Sequence, residues 1–390
     1  MISVEEALSA VLDLVSPLPF ENVPLRAANG RVLAQTLTAR RTQPPFAASS
    51  MDGYALRRSE VEPDAMFKVI GESAAGHSFS GTVRAGQAVR IFTGAPIPEG
   101  ADFVVIQEDV TRRGNLITLG HNIDSKDNIR PAGGDFKEGD QLTAPRLLRP
   151  ADIALLAAMN HAVVPVTRKP VVAILATGDE LVQPGETPGP DQIIASNSYG
   201  LAAMFENAGA DVRILPIARD TEASLKQAFA LAAGADLIVT IGGASVGDHD
   251  LVAPVAVELG LEQSFYKVAM RPGKPLMAGK LGAAAMIGLP GNPVSAMVCG
   301  LVFVLPMLQR LLGVEAVHPE GFDAPLGRDL GSNGPRAHYM RATLREGKVF
   351  PDDRQDSSLL SVLSTADVLM VRPPHDPPRE AGEMQKCFPL

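Results

Sequence analysis

From Pro170 onward the chain alternates short apolar runs with segments of helical spacing, and this alternation limits its fold more than any other feature. PVVAILATGDEL (170–181) is a continuous apolar run that ends in polar residues, the pattern of a parallel strand buried on both faces. SNSYGLAAMFENAGA (196–210) reads as a helix with Ser and Asn at its start and Gly at its end. DVRILPIARD (211–220) gives the next strand, TEASLKQAFALAAGA (221–235) the next helix and DLIVTIGG (236–243) a third strand. AAAMIGLP (283–290) then leads into GNPVSAMVCGLVFVLPMLQRLLG (291–313). Strands and helices in strict alternation predict a three-layer α/β domain over roughly 169–313.

The flanks read differently. Val4, Leu8, Val11, Leu12 and Val15 form a helical stripe, with Glu5 and Glu6 in the first turn where the helix dipole favours anions. Residues 60–135 are rich in short apolar or alternating runs split by Gly and Asn turns. PADIALLAAMNHAVV (150–164) is expected to be helical, with Pro150 at its start. Beyond Gly313, HYMRATLREGKVFPD reads as a hairpin and DVLMVRPP as a further strand, so a small β-barrel or sandwich is expected at 314–390. PPFAASSMDGYAL (44–56) contains Asp52-Gly53, a turn signal, with Phe46, Met51 and Tyr54 expected to pack around it.

Charge and composition remove several functions. A net charge of −9 argues against nucleic acid as the main partner. Cys299 and Cys387 are too few and too far apart for a disulfide framework or a zinc pattern, and no His falls in a metal-binding spacing. The N-terminus lacks the basic region of a secretion signal. The apolar stretch 296–313 is interrupted by Pro306, Gln309 and Arg310, so a buried core helix is expected and no membrane association. The cytoplasm is the expected location.

In an open parallel sheet, ligands bind beyond the carboxyl ends of the strands. Those ends are Thr177-Gly178-Asp179-Glu180, Asp220-Thr221, GGASVGDHD (242–250) with Asp248 and Asp250, and Gly288-Leu289-Pro290-Gly291-Asn292-Pro293-Val294-Ser295. Glycines let backbone N–H groups approach a phosphate, and a helix start favours an anion. The acids offer the hard oxygens that Mg²⁺ takes. Lys267, Arg271 and Lys274 lie nearby in FYKVAMRPGKPL (265–276). Taken singly, each stretch also reads as a capped helix start, a glycine loop or a solvated basic turn. Together they describe a site for a phosphorylated anion with a divalent cation.

GDEL, SNSYGLAAMFENAGA, GGASVGDHD, KVAMRPGKP and GLPGNPVSA, in that order, resemble the molybdopterin-binding domain. PPFAASSMDGYAL, FTGAPIPEGADFVVIQED (92–109) and NIRPAGGDFKEGD (128–140) resemble motifs of MoeA-type molybdenum-insertion enzymes, which include the E domain of gephyrin. The resemblance implies an α/β multidomain protein that inserts molybdenum from molybdate into adenylylated molybdopterin and releases AMP, with Mg²⁺ required. It implies a discontinuous N-terminal mixed domain (1–22, 43–52 and 136–168), a β-rich insert (23–42 and 53–135), the α/β domain (169–313) and a C-terminal β-barrel (314–390). It implies a homodimer whose cleft involves both chains, with an adenylyltransferase and molybdoenzyme apoproteins as further partners.

Carried over by motif, the catalytic positions are Asp52, Thr93, Asp135, Glu180, Asp220 and Asp250, of which Glu180, Asp220 and Asp250 are the expected metal ligands. The expected substrate and anion contacts are Arg130, Lys267, Arg271, Lys274, Gly242, Gly243, Ser245, Pro290, Gly291, Asn292, Pro293, Ser295, Arg336 and Ser357. Arg271 stands where Lys is usual, which keeps the charge and changes the fork presented to an oxyanion. Gly134 stands where Glu is usual, and Phe265-Tyr266 replaces a Trp neighbourhood. A pterin adenylyltransferase, or a non-catalytic pterin-binding scaffold, remains as an alternative, and the metal inserted could be molybdenum or tungsten.

Overall fold

The computed structural model describes residues 1–243, 251–314 and 321–390. Among these residues, the second half is built on a six-stranded sheet. Its order across the sheet is Asp211–Ile214, Val171–Ala176, Leu237–Ile241, Ala284–Leu289, Pro275–Leu281 and Leu261–Lys267. The first four run parallel and the last two are antiparallel. Leu237–Ile241 is buried along its whole length, which is why its sequence shows no polar alternation.

Helices cover both faces. Asn197–Asn207 and the long helix beginning at Pro293 pack on one face, together with the N-terminal helix Val4–Asp13. Glu222–Leu231 and Val252–Glu258 pack on the other. The first helix is set by a capping box: the Ser3 hydroxyl accepts from Glu6 N–H, and the Glu6 carboxylate accepts from Ser3 N–H at 2.7 Å. Pro293–Leu311 is long and apolar enough to cross a membrane, but 78% of its apolar window is buried inside the protein, so it serves as a core helix.

The N-terminal half holds two assemblies. One pairs Phe20–Pro24 and Val32–Leu33 with Val163–Thr167, and Arg146–Leu147 with Val32–Leu33. Ala28, Leu33, Ala39, Leu142, Leu156 and Val166 share its core. Residues 23–42 therefore pack with 136–167, not with the insert to which the sequence pattern assigns them. The other assembly is a six-stranded sheet ordered Phe103–Ile106, Gly53–Leu56, Gln87–Ile91, Met66–Ser73, Leu116–Leu119 and Val110–Arg113. Residues 43–52 run along the seam: Gln43 bridges to Phe136, while Ala48–Ser49 pairs with Ile129–Arg130.

Two local expectations also fail. The helix from Pro150 stops at Ala158, where Asn160 takes a left-handed φ of 71°, and the apolar residues after it form a strand. Gly53 is not the left-handed corner of a turn. It opens a buried strand, and a side chain there would strike the Val105 carbonyl of the neighbouring strand. Phe46 and Met51 are exposed, so only Tyr54 of the three packs inward.

The C-terminal strands Ala337–Arg345, Lys348–Pro351, Val368–Arg372, Met384–Pro389 and Phe322–Pro325 form a small barrel, closed where Leu326 bridges Val349. Glu346 and Gly347, at φ of 51° and 75°, make the tight turn of the expected hairpin. Met270–Arg271 of the α/β half joins this sheet as an outer strand, parallel to Ala337–His338.

Candidate active site

The carboxyl ends of the parallel strands converge on a cleft of about 480 Å³. Thr177, Glu180, Gly242, Gly243, Pro290, Gly291, Asn292 and Pro293 line it, as do residues 193–198 and Pro275. Gly242 and Gly243 take φ of 87° and 62°, conformations in which their backbone can lie against the next loop. Asn197 Nδ2 donates to Gly291 O at 2.7 Å and fixes the Pro290–Asn292 loop against the helix Asn197–Asn207. The helix that starts at Pro293 has its N-terminus at the cleft, where the positive end of its dipole favours an anion.

The barrel reaches this loop. Val294 N–H donates to Ser357 O at 3.1 Å, and Asn292 Nδ2 donates to Ser357 Oγ at 3.0 Å. Ser357 therefore holds the loop whose residues line the cleft, and is not itself in the lining. Arg336 lies half-buried beside the barrel strand that carries His338, its carbonyl accepting from Asn333. Ser295 is a different matter: it is 4% exposed, inside the first turn of its helix and outside the cleft lining.

The acids fall on adjoining loops. Asp220 N–H donates to Asp179 Oδ1 at 3.4 Å, and Arg219 donates to Asp179 O, so the Asp220 loop is tied to the loop of Glu180. Asp220 itself does not line the cleft. Among the described residues no three His, Cys, Asp or Glu side chains cluster closely enough to hold a metal alone. Asp250 and Ser245 lie outside the described residues. Glu180 in the cleft offers a carboxylate of the kind Mg²⁺ takes alongside water and ligand phosphates, and Asp220 stands on the adjoining loop.

Lys267 pairs with Pro275, which lines the cleft and follows Lys274. Lys267 and Arg271 sit at either end of a segment held on both sides: Ile2 N–H donates to Lys267 O, and Ala337 N–H donates to Ala269 O. Val268 N–H donates to Lys274 O, which closes the segment into a tight loop. Arg271 stands opposite His338, whose burial, aided by Arg271, Arg341, Arg372 and Arg336, depresses its imidazole to about 4. Of the four guanidiniums around that neutral ring, that of Arg372 is paired with Asp376.

A second group of expected residues assembles in the N-terminal half. Asp52 Oδ1 accepts from Thr93 N–H and Thr93 Oγ1, both at 2.8 Å. These two bonds, with help from Arg90, hold the Asp52 carboxyl below the ordinary carboxylate range. Ser49 N–H donates to Ala95 O, Gly94 N–H to Ser49 O and Ser50 N–H to Asn128 O, so three loops are stitched into one surface. Arg130 and Asp135 are exposed on the third loop. None of Asp52, Thr93, Arg130 and Asp135 lines the α/β cleft of the same protomer.

The family models that match are "MoeA N-terminal region (domain I and II)" over residues 2–160, "Probable molybdopterin binding domain" over 173–310 and "MoeA C-terminal region (domain IV)" over 323–386. A molybdopterin molybdenumtransferase of Bacillus subtilis is 34% identical over 390 residues, covering 95% of this chain and 90% of the relative. The chain belongs to the MoeA family. A molybdopterin molybdenumtransferase of Haemophilus influenzae is 38% identical over 317 residues, covering 80% of this chain and 78% of the relative. The crystal structure of the molybdopterin biosynthesis MoeA protein of Pyrococcus horikoshii superposes with a TM-score of 0.85 at 29% identity, covering 100% of this chain and 99% of that one.

Two residues of this MoeA-family site were not expected from the sequence. Asn197 carried a signal only as a helix-start residue. Arg90 carried one as a charge inside an alternating strand, QAVRI, on the same face as Phe92.

Proposed function

We propose that this chain inserts molybdenum from molybdate into adenylylated molybdopterin and releases AMP. The observation that carries the reading is the meeting of three elements at one sheet edge. They are the glycine-lined cleft with Glu180, the barrel residue Ser357 bonded to the loop that lines it, and the basic segment whose Lys267 pairs with the cleft-lining Pro275.

The chain's own residues divide the work. The Gly243 backbone and the positive end of the helix that starts at Pro293 receive phosphate oxygens, while the Gly242 N–H is held by Leu289 O. Lys267, Arg271 and Lys274 offset the charge that grows on the phosphoryl oxygens as the anhydride P–O bond breaks, and hold molybdate beside it. Glu180, Asp220 and Asp250 would hold Mg²⁺, which supplies Lewis-acid stabilisation of the phosphoryl group when bound. Asp52, kept ionised by Thr93, accepts a hydrogen bond from the water whose oxygen forms the new P–O bond as the anhydride bond breaks and AMP leaves. Because the Asp52 group does not line its own protomer's cleft, the cleft it serves is that of a second copy in a homodimer.

The test is AMP release from adenylylated molybdopterin by purified protein with Mg²⁺, with and without molybdate. Molybdate-dependent release is expected. Asp52→Asn should abolish it while the pterin nucleotide still binds. Absence of release by the parent protein refutes the reading, and loss of nucleotide binding in Asp52→Asn would make Asp52 a structural residue.

A further inference from the structure

We infer that Arg90 is a positioning residue that holds the Asp52 loop in its working geometry. Arg90 stands directly across from Tyr54 in the paired strands Gly53–Leu56 and Gln87–Ile91. Its guanidinium lies over two aromatic rings, 5.1 Å from the centroid of Tyr54 and 4.7 Å from that of Phe92. From that slot Nη1 donates to Gly53 O at 3.1 Å and Nη2 to Gln107 Oε1 at 2.6 Å. Gln107 N–H in turn donates to Asp52 O at 3.0 Å.

The peptide groups of Asp52 and Gly53 are thus held from one side by a clamp made of Arg90 and Gln107. Thr93, whose N–H and hydroxyl hold the Asp52 carboxylate, follows Arg90 by three residues at the end of the same strand. One strand end therefore fixes both the backbone and the carboxylate of Asp52. The task needs a planar cation that stacks on two rings and donates in two directions. Lysine keeps the charge but has no planar face and no fork.

The inference rests on the reading of Asp52 given above, and the test separates the two. Arg90→Lys should lower kcat for AMP release by about 10- to 100-fold, the size expected for a reacting group displaced by roughly 1 Å, with KM for the pterin nucleotide changed less than about threefold. The amide NMR signal of Thr93 should move in Arg90→Lys towards its position in Asp52→Asn, because the bond it reports is loosened. A role confined to fold stability would lower the melting temperature and leave that signal in place. Gln107→Met removes the acceptor that holds Arg90 Nη2, on an exposed surface and with the Gln107 N–H to Asp52 O bond kept, and should shift kcat and the Thr93 signal in the same direction.

If Asp52→Asn retains full AMP release, the reading of Asp52 falls and the assignment of Arg90 falls with it. If Asp52→Asn is inactive while Arg90→Lys keeps parental kcat and Thr93 shift, the inference about Arg90 alone is overturned. A change in KM without a change in kcat would likewise overturn it, by placing Arg90 in substrate binding. Should Arg90→Lys fail to fold, Gln107→Met decides by the same two readouts.

Discussion

Replacing Gly273 with alanine tests how tightly the basic segment is built into the core. Gly273 has a φ of 109°, and a Cβ placed there would lie 2.5 Å from Cys299 Sγ and 3.0 Å from Met270 Sδ. Carbon atoms in contact sit about 3.5–4.0 Å apart, so the overlap with the thiol is roughly 1 Å. Over-packing a close-fitted core by one carbon costs about 1–3 kcal/mol. Holding a residue with a Cβ at this φ costs about 1–3 kcal/mol more. Gly273→Ala should therefore lose about 2–6 kcal/mol, read from the midpoint of urea unfolding followed by far-UV circular dichroism.

The two costs can be separated. Cys299→Ala alone leaves a small cavity and should lose about 1 kcal/mol. In the double variant the new methyl takes up the space of the thiol, so the overlap with Cys299 disappears while the close contact with Met270 and the backbone cost persist. The pair should be less destabilised than the sum of the singles by about 1–2 kcal/mol. A parental midpoint for Gly273→Ala, or strict additivity in the double variant, would refute this account of the glycine.

Other outcomes follow from the same structure. The His338 imidazole is depressed to about 4 by burial and its arginine neighbours, so it refuses a proton that the unfolded chain takes up near pH 6.5. Its neutral burial costs nothing above that pH, and stability should decline as pH falls from about 6.5 towards 4, by at most roughly 3 kcal/mol. His338→Gln should flatten that part of a calorimetric stability profile. Burial pushes the Cys299 thiol far up and the Cys387 thiol up to about 11, so neither should react with a thiol reagent at pH 8 until denaturant is added. Ser357→Ala removes the hydroxyl that meets Asn292, and should raise KM for the pterin nucleotide several-fold without shifting the melting temperature by more than a degree or two.

The α/β half was legible because its strands are buried on both faces and its helices have full turns between them. Leu237–Ile241 shows this at its simplest: five apolar or small residues, then two glycines. The N-terminal half was not legible in the same way. Val32–Leu33 and Arg146–Leu147 are strands of two residues, too short to show any period, and they pair across more than a hundred positions. Partition of 23–42 therefore depended on long-range pairing that no local pattern announces. The end of the helix after Pro150 was hidden because Ala157, Ala158 and Met159 continue the apolar composition while Asn160 reverses the backbone.

In the site, Thr177, Glu180, Gly242, Gly243 and Pro290–Pro293 come together in one cleft and Asp220 does not, while Asp52 with Thr93 shows a pairing that is 41 positions apart in sequence. What the sequence did not mark was support. Arg90 acts through a ring pair and a glutamine that meet it only after the strands have paired. Ser295 shows the converse: a polar residue in a glycine-rich motif that helix geometry turns into the core.

The parallel pairing of Met270–Arg271 with Ala337–His338 has a consequence for how this protein can be cut into pieces. Were the chain shortened after Gly313, the segment carrying Arg271 would lose the strand it pairs with, and its N–H and C=O groups would become a free edge. Such an excised half would retain its glycine loops but expose a ribbon able to pair with another chain. The α/β half is therefore not a portable cassette, and a fragment cut to isolate its cleft would report on self-association before it reported on binding.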